Sequence, residues 1–157
     1  MKSKVRKDNA RHPEQFKRME RLAKEIGCFF CYKNYLKVGA SKSIHESRNW
    51  YIKKNDYPYE GTIHHYLIAP KKHITKVTQI SPRDWSELIK MIKWLDKYLK
   101  IKGYSVLVRN GDMKYTGATL DHLHFHLVSG GPKKKKGELK DNVRFTLAHK
   151  SIRSRRS

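Results

Sequence analysis

Apolar and polar positions alternate most strictly at residues 122–128, which read His-Leu-His-Phe-His-Leu-Val. A period of two is that of a β-strand. It predicts His122, His124 and His126 on one face and Leu123, Phe125 and Leu127 on the other, packed into a core. Two other stretches carry the helical period. Phe16, Met19, Leu22, Ala23 and Ile26 form a stripe over residues 13–27, with Pro13 near the start and Gly27 after the end. Trp85, Leu88, Ile89, Ile92, Leu95 and Leu99 recur behind Ser81-Pro-Arg-Asp84, which offers an N-cap hydroxyl, a proline at N1 and an acid at N3. This predicts a long helix over 81–102 with Gly103 as its C-cap. Short apolar runs predict strands beginning at 50–52, at 64–69 before Pro70, at 104–108 and at 142–148. Residues 55–61 are turn chemistry, and 33–47 show no clear pattern. Repeated βαβ units are absent. The expected class is α+β, an antiparallel sheet of about five strands with one long helix and an N-terminal helix.

The length of 157 residues suits one compact domain. The expected division is a basic flexible arm at 1–12, a single domain at 13–149 and a basic flexible tail at 150–157. No apolar run approaches the roughly 20 residues of a membrane span. The first nine residues lack the apolar stretch of a secretory signal. Two cysteines are too few for a disulfide scaffold, which points to a reducing, cytoplasmic setting. The net charge of +22 is concentrated in residues 2–11, in Lys133–Lys136 and in the tail. Such runs are commonly solvated surface; their functional reading is attraction to nucleotides or nucleic acid.

One buried histidine is usually a hydrogen-bonded core residue. Three on one face each need a polar partner once desolvated, so chemistry is the better reading. Such a row can bind a metal, bind phosphate, or supply a nucleophile with its helpers. Cys28-Phe-Phe-Cys31 has three readings: a redox dithiol, two buried thiols, or half of a structural Cys₂His₂ zinc site. The paired phenylalanines and the lack of a βαβ context speak against the first.

Two segments carry a family resemblance. Gly117-Ala-Thr-Leu-Asp-His-Leu-His-Phe-His-Leu-Val128 resembles the signature of the histidine triad (HIT) superfamily. Tyr57-Pro-Tyr-Glu-Gly-Thr-Ile-His-His-Tyr-Leu-Ile-Ala-Pro-Lys-Lys-His73 resembles the family's strand ending in apolar-Pro-x-x-His. Both lie in the family's order, and the resemblance covers roughly residues 28–130. Within the superfamily, Tyr57-Pro-Tyr59, the run from Gly117 to His122 and the Cys28-x-x-Cys31 pair resemble the branch containing diadenosine tetraphosphate phosphorylases and hydrolases. Ala118 stands where better-known members carry glutamine before the triad.

The resemblance implies nucleotidyl transfer at an α-phosphate of a dinucleoside polyphosphate or similar adenine nucleotide. It assigns His124, His126 and His65 to catalysis, with His124 as nucleophile and His64 facing away from the site. It assigns Asn110, Gly117 and Thr119 to nucleotide binding, although Asn110 before Gly111 is also ordinary turn chemistry. It assigns Cys28, Cys31, His73 and His122 to a structural zinc ion, and it implies a homodimer. The chemistry is sound: a neutral imidazole attacks phosphorus to give a phosphoramidate, which water or phosphate opens. The other ring nitrogen must then donate to an acceptor, expected to be a backbone carbonyl on the neighbouring strand or loop. Three alternatives stand beside this reading. One is an aprataxin-like deadenylase of DNA or RNA ends, favoured by the basic runs. Another is a nucleotide-binding module without turnover. The last is a metallohydrolase using all three triad histidines as ligands.

Overall fold

Pro13 occupies the first turn of helix α1 (Pro13–Ile26), where its missing N–H is no loss, and Gly27 closes the helix at φ 75°. The Ser81 hydroxyl accepts from the Asp84 N–H and starts helix α3 (Pro82–Leu99). Between them lie a short helix α2 (Tyr32–Tyr35) and strands β1 (His45–Glu46), β2 (Trp50–Lys54) and β3 (His64–Pro70). Strand β4 (Ser105–Val108), helix α4 (Met113–Thr116) and strand β5 (Phe125–Ser129) follow α3. The computed structural model describes residues 5–38, 42–131 and 143–146. The Lys133–Lys136 run and the basic tail lie outside these.

All five strands join one antiparallel sheet in the order β1-β2-β3-β5-β4. The class is the α+β arrangement expected from the pattern. Alternation splits each strand between two faces. Trp50, Ile52, Ile68, Phe125 and Leu127 meet Leu88, Met91 and Leu95 of α3, forming the main core with Leu123. On the opposite face, Met19 and Leu22 of α1 pack with Phe29, Leu120 and Val5. The catalytic candidates lie on this second side.

The structure departs from the sequence expectations at several places. Helix α3 ends at Leu99, and its C-cap is Lys100 at φ 51° rather than Gly103. Ile101 turns back onto the core, so the chain must leave the helix before the glycine is reached. Along α3, Met91 is buried, whereas Ile89 is 47% and Trp85 is 38% exposed. The histidine ladder starts at Phe125, not His122. Its partner β3 ends at Pro70, which has no N–H to continue the ladder, and the His122 ring takes the Pro70 carbonyl instead. Residues 143–146, inside the strand expected at 142–148, form no strand; the remaining positions lie outside the described residues.

Residues 5–12 do not project as an arm. Val5 forms a bridge to Leu120 and is buried, and the Asn9 amide donates to the carbonyls of Met113 and Ala118, at 3.0 and 2.7 Å. The basic composition conceals these two anchors. Among the described residues, no helix is long and apolar enough to cross a membrane.

Candidate active site

The strand register decides which histidines meet. His65 pairs with Val128 and lies diagonally from His126, on the face away from α3. His65 is 2% exposed, whereas His64 is partly exposed and stacks on Tyr66. Of the two adjacent histidines, His65 is therefore the one brought to the triad. Its Nδ1 lies 3.0 Å from the backbone N–H of Tyr59, which can only donate. The proton of the neutral ring must then sit on Nε2, 2.9 Å from His126 Nδ1. The Asn55 amide nitrogen is also 3.0 Å from His65 Nε2, but the backbone N–H decides the tautomer. His126 accepts at Nδ1 and so carries its own proton on Nε2. That N–H is buried and has no partner among the described residues.

His124 is oriented differently. Its Nδ1 lies 2.7 Å from the His122 carbonyl, so Nδ1 donates and Nε2 keeps its lone pair. The carbonyl belongs to the loop just before the triad strand, one of the two places, strand or loop, where the sequence put it. Burial holds His124 neutral, with its pKa lowered to about 4; the nearby Arg109 and Lys53 charges act in the same direction. Burial likewise lowers His65 to about 3, helped by the Arg11 and His124 charges, and drives His126 well below its usual value. The three rings are thus neutral at pH 7, each with its tautomer set by its neighbours.

His124 and His126 line a cavity of about 280 Å³. One end is apolar, with Met19, Leu22, Phe29 and Leu120. Gln15, 7% exposed, also lines it, and its Oε1 is the other buried side-chain oxygen or nitrogen without a partner among the described residues. The cavity also holds Arg11, Arg18, Lys53 and Arg109. Arg18 and Lys53 both contact Asp56, at 3.6 and 3.0 Å. Gly117 and Thr119 lie on the wall. Asn110 is absent from it: its Oδ1 accepts from the Val77 N–H at 2.8 Å, the turn chemistry that was the alternative reading. Sequence reasoning missed Gln15, Arg11, Arg109 and Lys53, whose spacing carries no motif. The signal that could have found Lys53 is the period of two along β2, which puts it on the face opposite Trp50 and Ile52.

A second cluster sits beneath the triad. One ligand atom from each of Cys28, Cys31, His73 and His122 lies within 4.8 Å of the others. His122 Nδ1 is 3.3 Å from Cys28 Sγ and 3.9 Å from Cys31 Sγ. Ligands at about 2.0–2.3 Å around a tetrahedral zinc are separated by comparable distances. The His122 Nε2–H donates to the Pro70 carbonyl at 3.0 Å, which leaves Nδ1 unprotonated toward the sulfurs, the state a metal requires. Burial, then the adjacent Cys31, pushes the Cys28 thiol up to about 12, so its thiolate needs a cation beside it. The four residues fit a zinc ion.

The sequence model of the HIT domain matches residues 40–133. The adenosine 5′-monophosphoramidase HNT1 of Candida albicans is 31% identical over 121 residues, covering 72% of this chain and 74% of its own length. The solved HIT family hydrolase from Clostridium thermocellum is 32% identical with a TM-score of 0.54, covering 69% of this chain and 96% of that one. A zinc-bound histidine triad family protein from Mycobacterium smegmatis shares the fold at 19% identity and a TM-score of 0.55, covering 80% of this chain and 85% of that one.

Proposed function

The chain belongs to the HIT domain family, and on that premise we propose that it is a nucleotide hydrolase working through a nucleotidyl intermediate on His124. One observation carries the reading: the His124 Nδ1–H is committed to the His122 carbonyl, which leaves a neutral Nε2 lone pair in a cavity. In the first step Nε2 forms a bond to the α-phosphorus, and the bond from phosphorus to the leaving group breaks, with its electron pair going to the leaving atom. Water or phosphate then attacks phosphorus, the P–N electron pair returns to His124 Nε2, and the proton of an attacking water passes to solvent. The His126 Nε2–H, without a partner among the described residues, donates to a non-bridging phosphate oxygen, where negative charge grows in the transition state. His65 is a positioning residue: it keeps that proton on Nε2. A polyphosphate leaves without needing a strong acid, which agrees with three neutral histidines.

The nucleoside occupies the apolar end, with Gln15 Oε1 offered to one of its donors. Cys28, Cys31, His73 and His122 hold a structural zinc ion that ties the residues after α1, the turn after β3 and the residues before β5 together. His122 thereby serves the metal, and the metallohydrolase reading loses one of its three ligands. Homodimer formation belongs to the same reading, supported by the edge position of β4 and the 40% exposure of Val106 on it. A cytoplasmic setting is supported by the unpaired state of both cysteines.

The net charge of +22 favours a second reading, removal of adenylate from nucleic-acid ends by the same chemistry. A panel of adenine nucleotides and an adenylated oligonucleotide, analysed by mass spectrometry of products, tests both. His124→Ala must abolish turnover of whichever substrate is used; retained turnover overturns the mechanism.

A further inference from the structure

Arg11 lies outside the residues that the HIT domain matches, yet it lines the same cavity as His124 and His126. Its guanidinium carbon sits 4.6 Å from the centre of the Tyr59 ring. That ring in turn packs on His65 at 4.4 Å and stacks on His126 at 5.8 Å and 18°. Two Arg11 N–H groups donate to the Tyr57 and Pro58 carbonyls, which fixes the fork against the turn after β2. A guanidinium has five N–H donors, so others remain for a ligand. Arg109 enters from the end of β4, held by the Thr116 and Thr146 carbonyls, and lines the same cavity. The charges of both arginines act on His126.

Arg11 has a different setting from Arg18 and Lys53. Arg18 and Lys53 are shared with Asp56. Arg11 is held by backbone carbonyls and an aromatic face, and neither neutralises its charge. A fixed guanidinium lining the same cavity as the phosphate-holding histidine matches an anion bound bidentately. The non-bridging oxygens of the α-phosphate are addressed by His126. The group left for the arginines is what departs.

We propose that Arg11, assisted by Arg109, determines specificity by holding an anionic leaving group, the phosphate chain beyond the α-phosphate. The site then favours nucleoside polyphosphates over nucleotides that leave as a neutral amine. This rests on the reading of His124 as nucleophile. As the P–O bond breaks, its electron pair goes to the β-phosphate oxygen, and the guanidinium stabilises that charge without giving up a proton.

Two measurements on the full-length protein test it. The first is the ratio of kcat/KM for diadenosine tetraphosphate to that for adenosine 5′-phosphoramidate. The ratio should exceed one in the wild type, fall about tenfold or more in Arg11→Gln, and recover in part in Arg11→Lys, as expected for a charge-assisted hydrogen bond. The second is calorimetric binding of inorganic tripolyphosphate, which needs no turnover. It should weaken about tenfold in Arg11→Gln and less in Arg11→Lys. An unchanged ratio, or equal tripolyphosphate binding by all three proteins, overturns the proposal. If neither nucleotide is turned over, the His124 reading fails, and the tripolyphosphate result still decides the role of Arg11.

Discussion

His65→Phe keeps a flat ring in a buried position and removes both nitrogens from the path Tyr59 N–H, His65, His126. Two buried groups lose their partner: the Tyr59 N–H at 3.0 Å and His126 Nδ1 at 2.9 Å. At about 1–3 kcal/mol for each buried group left unsatisfied, the loss of stability is about 2–6 kcal/mol. The effect on catalysis has a separate cause. With no donor facing it, His126 Nδ1 is free to take the ring proton, and Nε2 then turns a lone pair toward the phosphate oxygen. Losing one preorganised donor to a developing charge lowers kcat by about 10²–10³-fold. Urea denaturation measures the first effect and steady-state kinetics on the folded variant the second. Nitrogen NMR of His126 separates them: the wild type should show a protonated Nε2, and His65→Phe should not. His65→Gln, which can again present an N–H, should recover part of the rate. A folded His65→Phe with wild-type kcat, or with His126 still protonated on Nε2, would refute the tautomer argument.

Acidification should destabilise the fold, because His65 titrates at about 3, His124 at about 4 and His126 well below its usual value, whereas unfolded histidines titrate near 6.5. The unfolded chain binds protons that the folded chain refuses, so stability is flat above about pH 7 and falls from pH 6.5 toward 4, by up to about 1.4 kcal/mol per pH unit for each histidine; a melting temperature constant between pH 7 and 5 would contradict this. Metal analysis of the purified protein should find one zinc per chain, lost in Cys28→Ser, and chelation should lower the melting temperature; metal retained at full stoichiometry in Cys28→Ser would remove the site. Asn110→Ala should cost about 0.5–1.5 kcal/mol through the lost bond to Val77. It should leave kcat/KM within about threefold, whereas a loss above about 30-fold in a folded variant would place Asn110 at the ligand.

The parts of this fold that follow from local period were legible in the sequence. The alternation at 122–128 placed Leu123, Phe125 and Leu127 in the core and the three histidines opposite, as observed. The Ser81 cap and the stripe behind it located α3. What depends on distant contacts was not legible. Strand β1 has only two residues, too short to show a period. Val5 and Asn9 sit in a run of basic residues whose composition suggests solvent, yet one apolar side chain and one amide suffice to dock it. The cluster of Cys28, Cys31, His73 and His122 could be named only through resemblance, because its members come from three separate parts of the chain. Gln15 lies four residues before Met19 and seven before Leu22, so the helical period puts it on the buried face; its polarity hid it from a reading of apolar positions alone.

The nucleophilic role of His124 is the centre of this account. Rapid acid-free quenching of the full-length protein with a radiolabelled adenine nucleotide, followed by peptide mass spectrometry, tests it most directly. We expect a nucleotidyl group attached through an acid-labile P–N bond to the peptide containing His124, formed and discharged at rates at least equal to turnover, and none in His124→Ala. A chain that turns the nucleotide over with no such adduct, or with the adduct on another residue, would contradict it.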